Sequence, residues 1–94
     1  MIDPKLLQSL GKMASHSVQN KHPELDIRFL AINSTDMKAA IVAKGDKSGR
    51  TARIFDLPPL ASNVDADAVK PLTDLLESQI EKAVQDFLEL SRLV

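Results

Sequence analysis

The sequence predicts an α+β fold: a helix, a three-stranded antiparallel β-meander and a long C-terminal helix, with both helices on one sheet face. Three observations predict it. Apolar residues recur at helical spacing over 6–18 and again over 72–94. Between these stretches, apolar and polar residues alternate over 25–31 and 37–43, the period of a half-buried strand. Two turn-forming clusters, Asn33-Ser34-Thr35-Asp36 and Gly45-Asp46-Lys47-Ser48-Gly49, separate the strand-like segments.

The first helix is expected from about Asp3 to Asn20. Asp3 can cap it, and Pro4 suits the first helical position, where its missing N–H is no loss. Leu6, Leu7, Leu10, Met13, Ala14 and Val18 form its apolar stripe, with Lys5, Lys12, His16 and Gln19 on the other side. Gly11 falls inside and weakens the helix by up to ~1 kcal/mol relative to alanine. Asn20-Lys21-His22-Pro23 ends it, because the residue before a proline avoids the helical region.

The strands are expected at about Glu24 to Ile32, Met37 to Lys44 and Arg50 to Leu57. In the first hairpin, a register with Ile32 opposite Asp36 sets Phe29 against Ala39 and Ile27 against Ile41. That register gathers Leu25, Ile27, Phe29, Ala31, Met37, Ala39, Ile41 and Ala43 on one face; a one-residue slip would mix the faces. The second hairpin leaves two registers open, since Ile54 and Phe55 point to opposite faces and either fits a core. Pro58-Pro59 ends the sheet. The last helix is expected to start between Asp65 and Pro71 and to reach Val94. Leu72, Leu76, Ile80, Ala83, Phe87, Leu90 and Val94 form its apolar face, widened by Leu75, Val84 and Leu93.

Ninety-four residues, 1–94, make one domain. The absence of cysteine excludes disulfide frameworks, thiolate zinc sites and cysteine nucleophiles. Met1-Ile2-Asp3-Pro4-Lys5 lacks the pattern of a signal peptide, and no apolar run approaches a membrane span. A cytoplasmic protein without a membrane partner is expected. His16 and His22 are the only histidines, and they bring no metal set or catalytic constellation with them. Both are expected on the surface near the helix end. Asp74, Glu77, Glu81, Asp86 and Glu89 are expected on the exposed side of the last helix, as solubilising charge. No enzyme activity, cofactor or metal is expected.

Charge is unevenly distributed. Residues 1–53 hold nine Lys/Arg and five Asp/Glu, whereas residues 54–94 hold three and eight. An acidic helix beside a basic sheet accounts for this, and such a split also arises where a surface binds a partner. Lys44, Lys47, Arg50 and Arg53 make the second hairpin a basic finger opposed only by Asp46. The finger could contact phosphates without sequence preference, extended by Arg28 and Lys38. Charge runs are more often solvated faces, and on that reading it is a solvated hairpin that discourages edge pairing. It is not a nucleotide-binding loop: three residues separate Gly45 and Gly49, Arg50 stands where lysine is needed, and a strand follows instead of a helix. The chain has no Trp or Tyr, so stacking platforms for single strands are lacking. The element order is similar to that of double-stranded RNA-binding domains, which use lysines at the start of the last helix. Here that start, Asp65-Ala66-Asp67-Ala68-Val69-Lys70, is acidic and would repel phosphate.

The last helix is long for its sheet. About 26 residues span roughly 39 Å, whereas strands of seven or eight residues span about 23–27 Å. Phe87, Leu88, Leu90, Leu93 and Val94 would then overhang and form a homodimer interface, unless the first helix covers them. The expected function is a small non-catalytic binding or regulatory module, acting as a homodimer through its C-terminal helix on an unidentified protein partner. The alternative is a nucleic-acid-binding accessory protein that uses hairpin 44–53.

Overall fold

In the computed structural model, which describes residues 3–60 and 69–92, the order is α1 (Pro4–Lys21), β1 (Leu25–Asn33), β2 (Asp36–Ala43), β3 (Arg53–Leu57) and α2 (Val69–Arg92). This is the expected α+β layout, with one antiparallel sheet in the order β1-β2-β3. Asp3 caps α1 by accepting from the Lys5 N–H at 3.0 Å, and Pro4 occupies the first turn. α1 packs on β1 and against α2, and α2 packs on β2 and β3. The helices therefore lie side by side on one face of the sheet, and the core sits between them and it. Leu7, Leu10, Ala14 and Val18 of α1 meet Leu25, Ile27, Phe29, Met37, Ala39 and Ile41 of the sheet there. Leu72, Leu76, Ile80, Ala83, Val84 and Phe87 of α2 complete it.

The first register is Phe29 opposite Ala39 and Ile27 opposite Ile41, as the alternation requires. Near the turn it departs from expectation. Asn33, not Ile32, faces Asp36, and the register shifts between Ala31 and Asn33. The Asn33 side chain accepts from Thr35 N–H at 2.9 Å, which closes the turn one residue tighter and leaves Ile32 as the extra residue. The second register resolves the ambiguity: Phe55 pairs with Ala39 on the core face, and Ile54 pairs with Ala40 on the open face. β3 is shorter than expected because residues 44–52 form a loop. In it Asp46 accepts from the backbone of Ser48 and Thr51, and Gly49 adopts φ +72°. After Pro59 the chain returns to the first turn, where the Leu60 N–H donates to the Ser34 carbonyl at 2.9 Å.

Two expectations about α1 are corrected. Met13 is 60% exposed and does not belong to the buried stripe. Gln19 does not lie on the solvent side; with Gln8 it reaches the outer edge of β1. The Gln8 amide donates to the Phe29 carbonyl and accepts from the Ala31 N–H, both at 2.9 Å. Gln19 donates to the Leu25 carbonyl and accepts from the Ile27 N–H at 2.7 Å. The two glutamines are eleven residues apart, close to three full turns, so they share one face of α1. Each amide takes the place of one residue in a neighbouring parallel strand, bonding the carbonyl of one β1 residue and the N–H two residues on.

Candidate association edge and basic clefts

The sheet has two edges of different character. The Lys44 N–H donates to the Glu24 carbonyl at 3.0 Å, so the even-numbered residues of β1 bond β2. Leu25, Ile27, Phe29 and Ala31 turn their backbone outward, and there Gln8 and Gln19 meet it. On the far side the odd-numbered residues of β2 bond β3, which turns the backbone of Ile54 and Asp56 outward. Among the described residues no side chain bonds these groups. The Ile54 side chain is 68% exposed, and Phe55, on the opposite face of the same strand, is half-buried.

α2 continues this edge. Its Glu81 reaches the C-cap of α1, where His22 Nε2 and Glu81 Oε1 are 2.9 Å apart. At about 3.6 residues per turn, Leu88 lies on that same flank, and Leu75, Asp86 and Leu90 lie on the opposite flank. The opposite flank faces away from α1, above β3. Leu75 and Leu90 are 41% and 44% exposed there, and Lys82 pairs with Asp86 at 3.9 Å beside them.

The residues expected at a dimer interface therefore divide. Phe87 is buried in the chain's own core, and Leu88 is half-buried against it. The chain's own core takes up both, so the overhang presents fewer apolar side chains than helix length alone implied. Leu90 is exposed, while Leu93 and Val94 lie outside the described residues. Leu75, Ile54 and the outward backbone of β3 were not foreseen. The signal that could have found them is the parity of the second hairpin, once Phe55 is assigned to the core.

Glu81 and His22 also depart from expectation, since neither is a simple surface group. Burial is the largest single influence on the Glu81 carboxyl and opposes its ionisation. Hydrogen bonds from His22 and Gln85, with the charges of His22 and Lys21, together outweigh it and lower the pKa from its ordinary 4.5. A depressed folded value gives stability that is complete above the unfolded value and lost as pH falls through the folded one. Urea midpoints should therefore fall between pH 5 and pH 3 by more in the wild type than in Glu81→Gln. Equal losses would show that this pair does not link α1 to α2 energetically.

The basic hairpin keeps its cations free. Lys44, Lys47, Arg50 and Arg53 are all exposed, and none is in an ion pair among the described residues. The one acid of the loop, Asp46, is held by Ser48 and then Thr51, whose hydrogen bonds lower its carboxyl well below the usual carboxylate range. Arg53 Nη1 donates to the carbonyls of Arg50 and Ala52 at 3.1 and 2.9 Å, which fixes the guanidinium against the loop. Lys38, by contrast, is committed to Asp56 at 2.7 Å, an ion pair that raises its pKa. Arg28 is exposed and unpaired among the described residues.

Three clefts open along β1 and the open sheet face. One, of about 420 Å³, runs between α1 and the end of the first hairpin, with Lys12, His16, Asp26 and Lys44 on its walls. A second, of about 460 Å³, lies along the outer edge of β1 and holds Gln8, Lys12, Ile27 and Arg28. The third, of about 200 Å³, lies on the open sheet face, with Ala40, Val42 and Ile54 between Arg28 and Arg53. No group of three or more His, Cys, Asp or Glu side chains among the described residues could hold a metal ion. No described helix is long and apolar enough to cross a membrane. Compared with family models, curated proteins and solved structures, the chain matches none of them.

Proposed function

We propose that the chain is a non-catalytic binding module that works as a homodimer, pairing through β3 and the outer flank of α2. The reading rests on the contrast between the two sheet edges. On the β1 edge, Gln8 and Gln19 bond four outward backbone groups, the carbonyls of Leu25 and Phe29 and the N–H groups of Ile27 and Ala31. The β3 edge has none of these partners among the described residues, and it adjoins an apolar border of Ile54, Leu75 and Leu90. A second copy is the occupant that fits. Antiparallel pairing of a strand with itself is isologous, so one surface serves both partners and places the two α2 flanks together. Sedimentation equilibrium up to high micromolar concentration tests it. A dimer that Leu75→Asp with Leu90→Asp dissociates supports the reading; a folded monomer throughout refutes it.

A second reading, nucleic-acid binding by hairpin 44–53, is favoured by one observation: Asp46 is taken up inside the loop, leaving Lys44, Lys47, Arg50 and Arg53 without a carboxylate. Lys47→Glu with Arg50→Glu should remove retention on mixed-sequence nucleic acid at low salt while leaving the melting temperature in place. Retention equal to the wild type would end this reading.

A further inference from the structure

The three clefts share residues, and the shared residues are cationic. Lys12 lines the first cleft together with Lys44 and the second together with Arg28. Arg28 lines the third together with Arg53. Arg53 pairs with Ile41 on the core side of β3 and is bonded to its own loop, so the track consists of Lys44, Lys12 and Arg28, carried by the loop after β2, by α1 and by β1, and it passes around the β1 edge onto the open sheet face. Asp26 is the only acid lining any of the three clefts. None of these three cations is in an ion pair among the described residues.

We propose that this track is a binding site for the phosphate backbone of a nucleic acid, taken without regard to base sequence; the site rests on the hairpin reading and extends it to α1 and β1. A row of exposed cations matches a ligand with one negative charge per repeat, and each neutralised phosphate releases counterions. Base recognition has no platform here. Phe29 and Phe87 are buried, Phe55 packs against the core, and the chain has no Trp or Tyr. An acidic peptide fits less well. A peptide gains affinity along a sheet edge by adding a strand, and four of the outward backbone groups of β1 that it would pair with are already bonded by Gln8 and Gln19. A phosphate backbone needs no such pairing.

Fluorescence anisotropy tests the site with short labelled mixed-sequence DNA, single-stranded and duplex, and with polyglutamate of similar charge. Three phosphate contacts should weaken binding by about 40-fold between about 50 and about 200 mM salt. Lys12→Glu with Arg28→Glu should weaken binding at least tenfold, and the neutral pair Lys12→Gln with Arg28→Gln should flatten the salt slope by about 2. The neutral pair serves as the readout if charge reversal unfolds the chain. If Lys47→Glu with Arg50→Glu removes binding and neither track variant changes affinity or slope, the track is refuted and the hairpin reading stands. If no DNA binds at about 50 mM salt, both fall. Polyglutamate bound as tightly as DNA would also overturn the proposal.

Discussion

Replacing Gly11 by alanine is expected to destabilise the protein, although alanine is the better helix former. Gly11 is buried on the face of α1 that meets β1, and a methyl group there would overlap the Phe29 ring. Alanine in a helix interior gains up to about 1 kcal/mol over glycine. Overpacking a dense core costs about 1–3 kcal/mol, occasionally more. Phe29 is 3% exposed and pinned between α1 and the sheet, so the ring cannot simply swing into solvent. Repulsion wins, and the net loss should be about 1–2 kcal/mol, or a melting temperature lower by roughly 4–16 °C. A smaller partner should restore part of it: Gly11→Ala combined with Phe29→Leu should lose less than the two single changes added together. A Gly11→Ala protein as stable as the wild type would show that α1 and β1 can separate without loss.

The second large effect concerns mass. The 10.3 kDa chain should sediment at about twice that mass, and Ile54→Pro should return it to one copy. Proline lacks an N–H, and the Ile54 N–H points away from β2, so the change spares the chain's own ladder. It removes the outward donor that a second β3 would accept from. With Ile54 and Asp56 turned outward, a twofold pairing sets each against the other's copy and brings Phe55 opposite Phe55 of the second chain. Circular dichroism should stay that of the wild type. A proline variant that remains dimeric would move the interface off β3. The paired change at Leu75 and Leu90 would then locate it on α2 or exclude that too.

Much of the fold was legible because each element has one buried face and a clear period. Asp3 and Pro4 mark the start of α1, and the alternation through Ile27, Phe29, Ala39 and Ile41 admits one register. The rest was hidden for identifiable reasons. Ile54 and Phe55 are both apolar neighbours, so only the packing of α2 on the sheet decides which goes inside. Met13 has helical spacing but falls where α1 has no neighbour. Gln8 and Gln19 are polar, and a search for apolar periodicity passes over them. Only their spacing of nearly whole turns marks them as acting on one strand. Helix length alone put Phe87 in the overhang, whereas it is buried in the chain's own core.

If chains pair through β3 as proposed, the glutamine pair on β1 limits the stoichiometry. A sheet with two bare margins can recruit a copy at each, and every addition offers a fresh margin, which is how fibres propagate. A copy that joined through β3 would consume, in each chain, the margin that has no side-chain partner among the described residues. The resulting six-stranded sheet would end on both sides in β1, where the amides of Gln8 and Gln19 already hold the backbone. On the proposed pairing growth would therefore stop at two, and raising the concentration would fill dimers without lengthening anything.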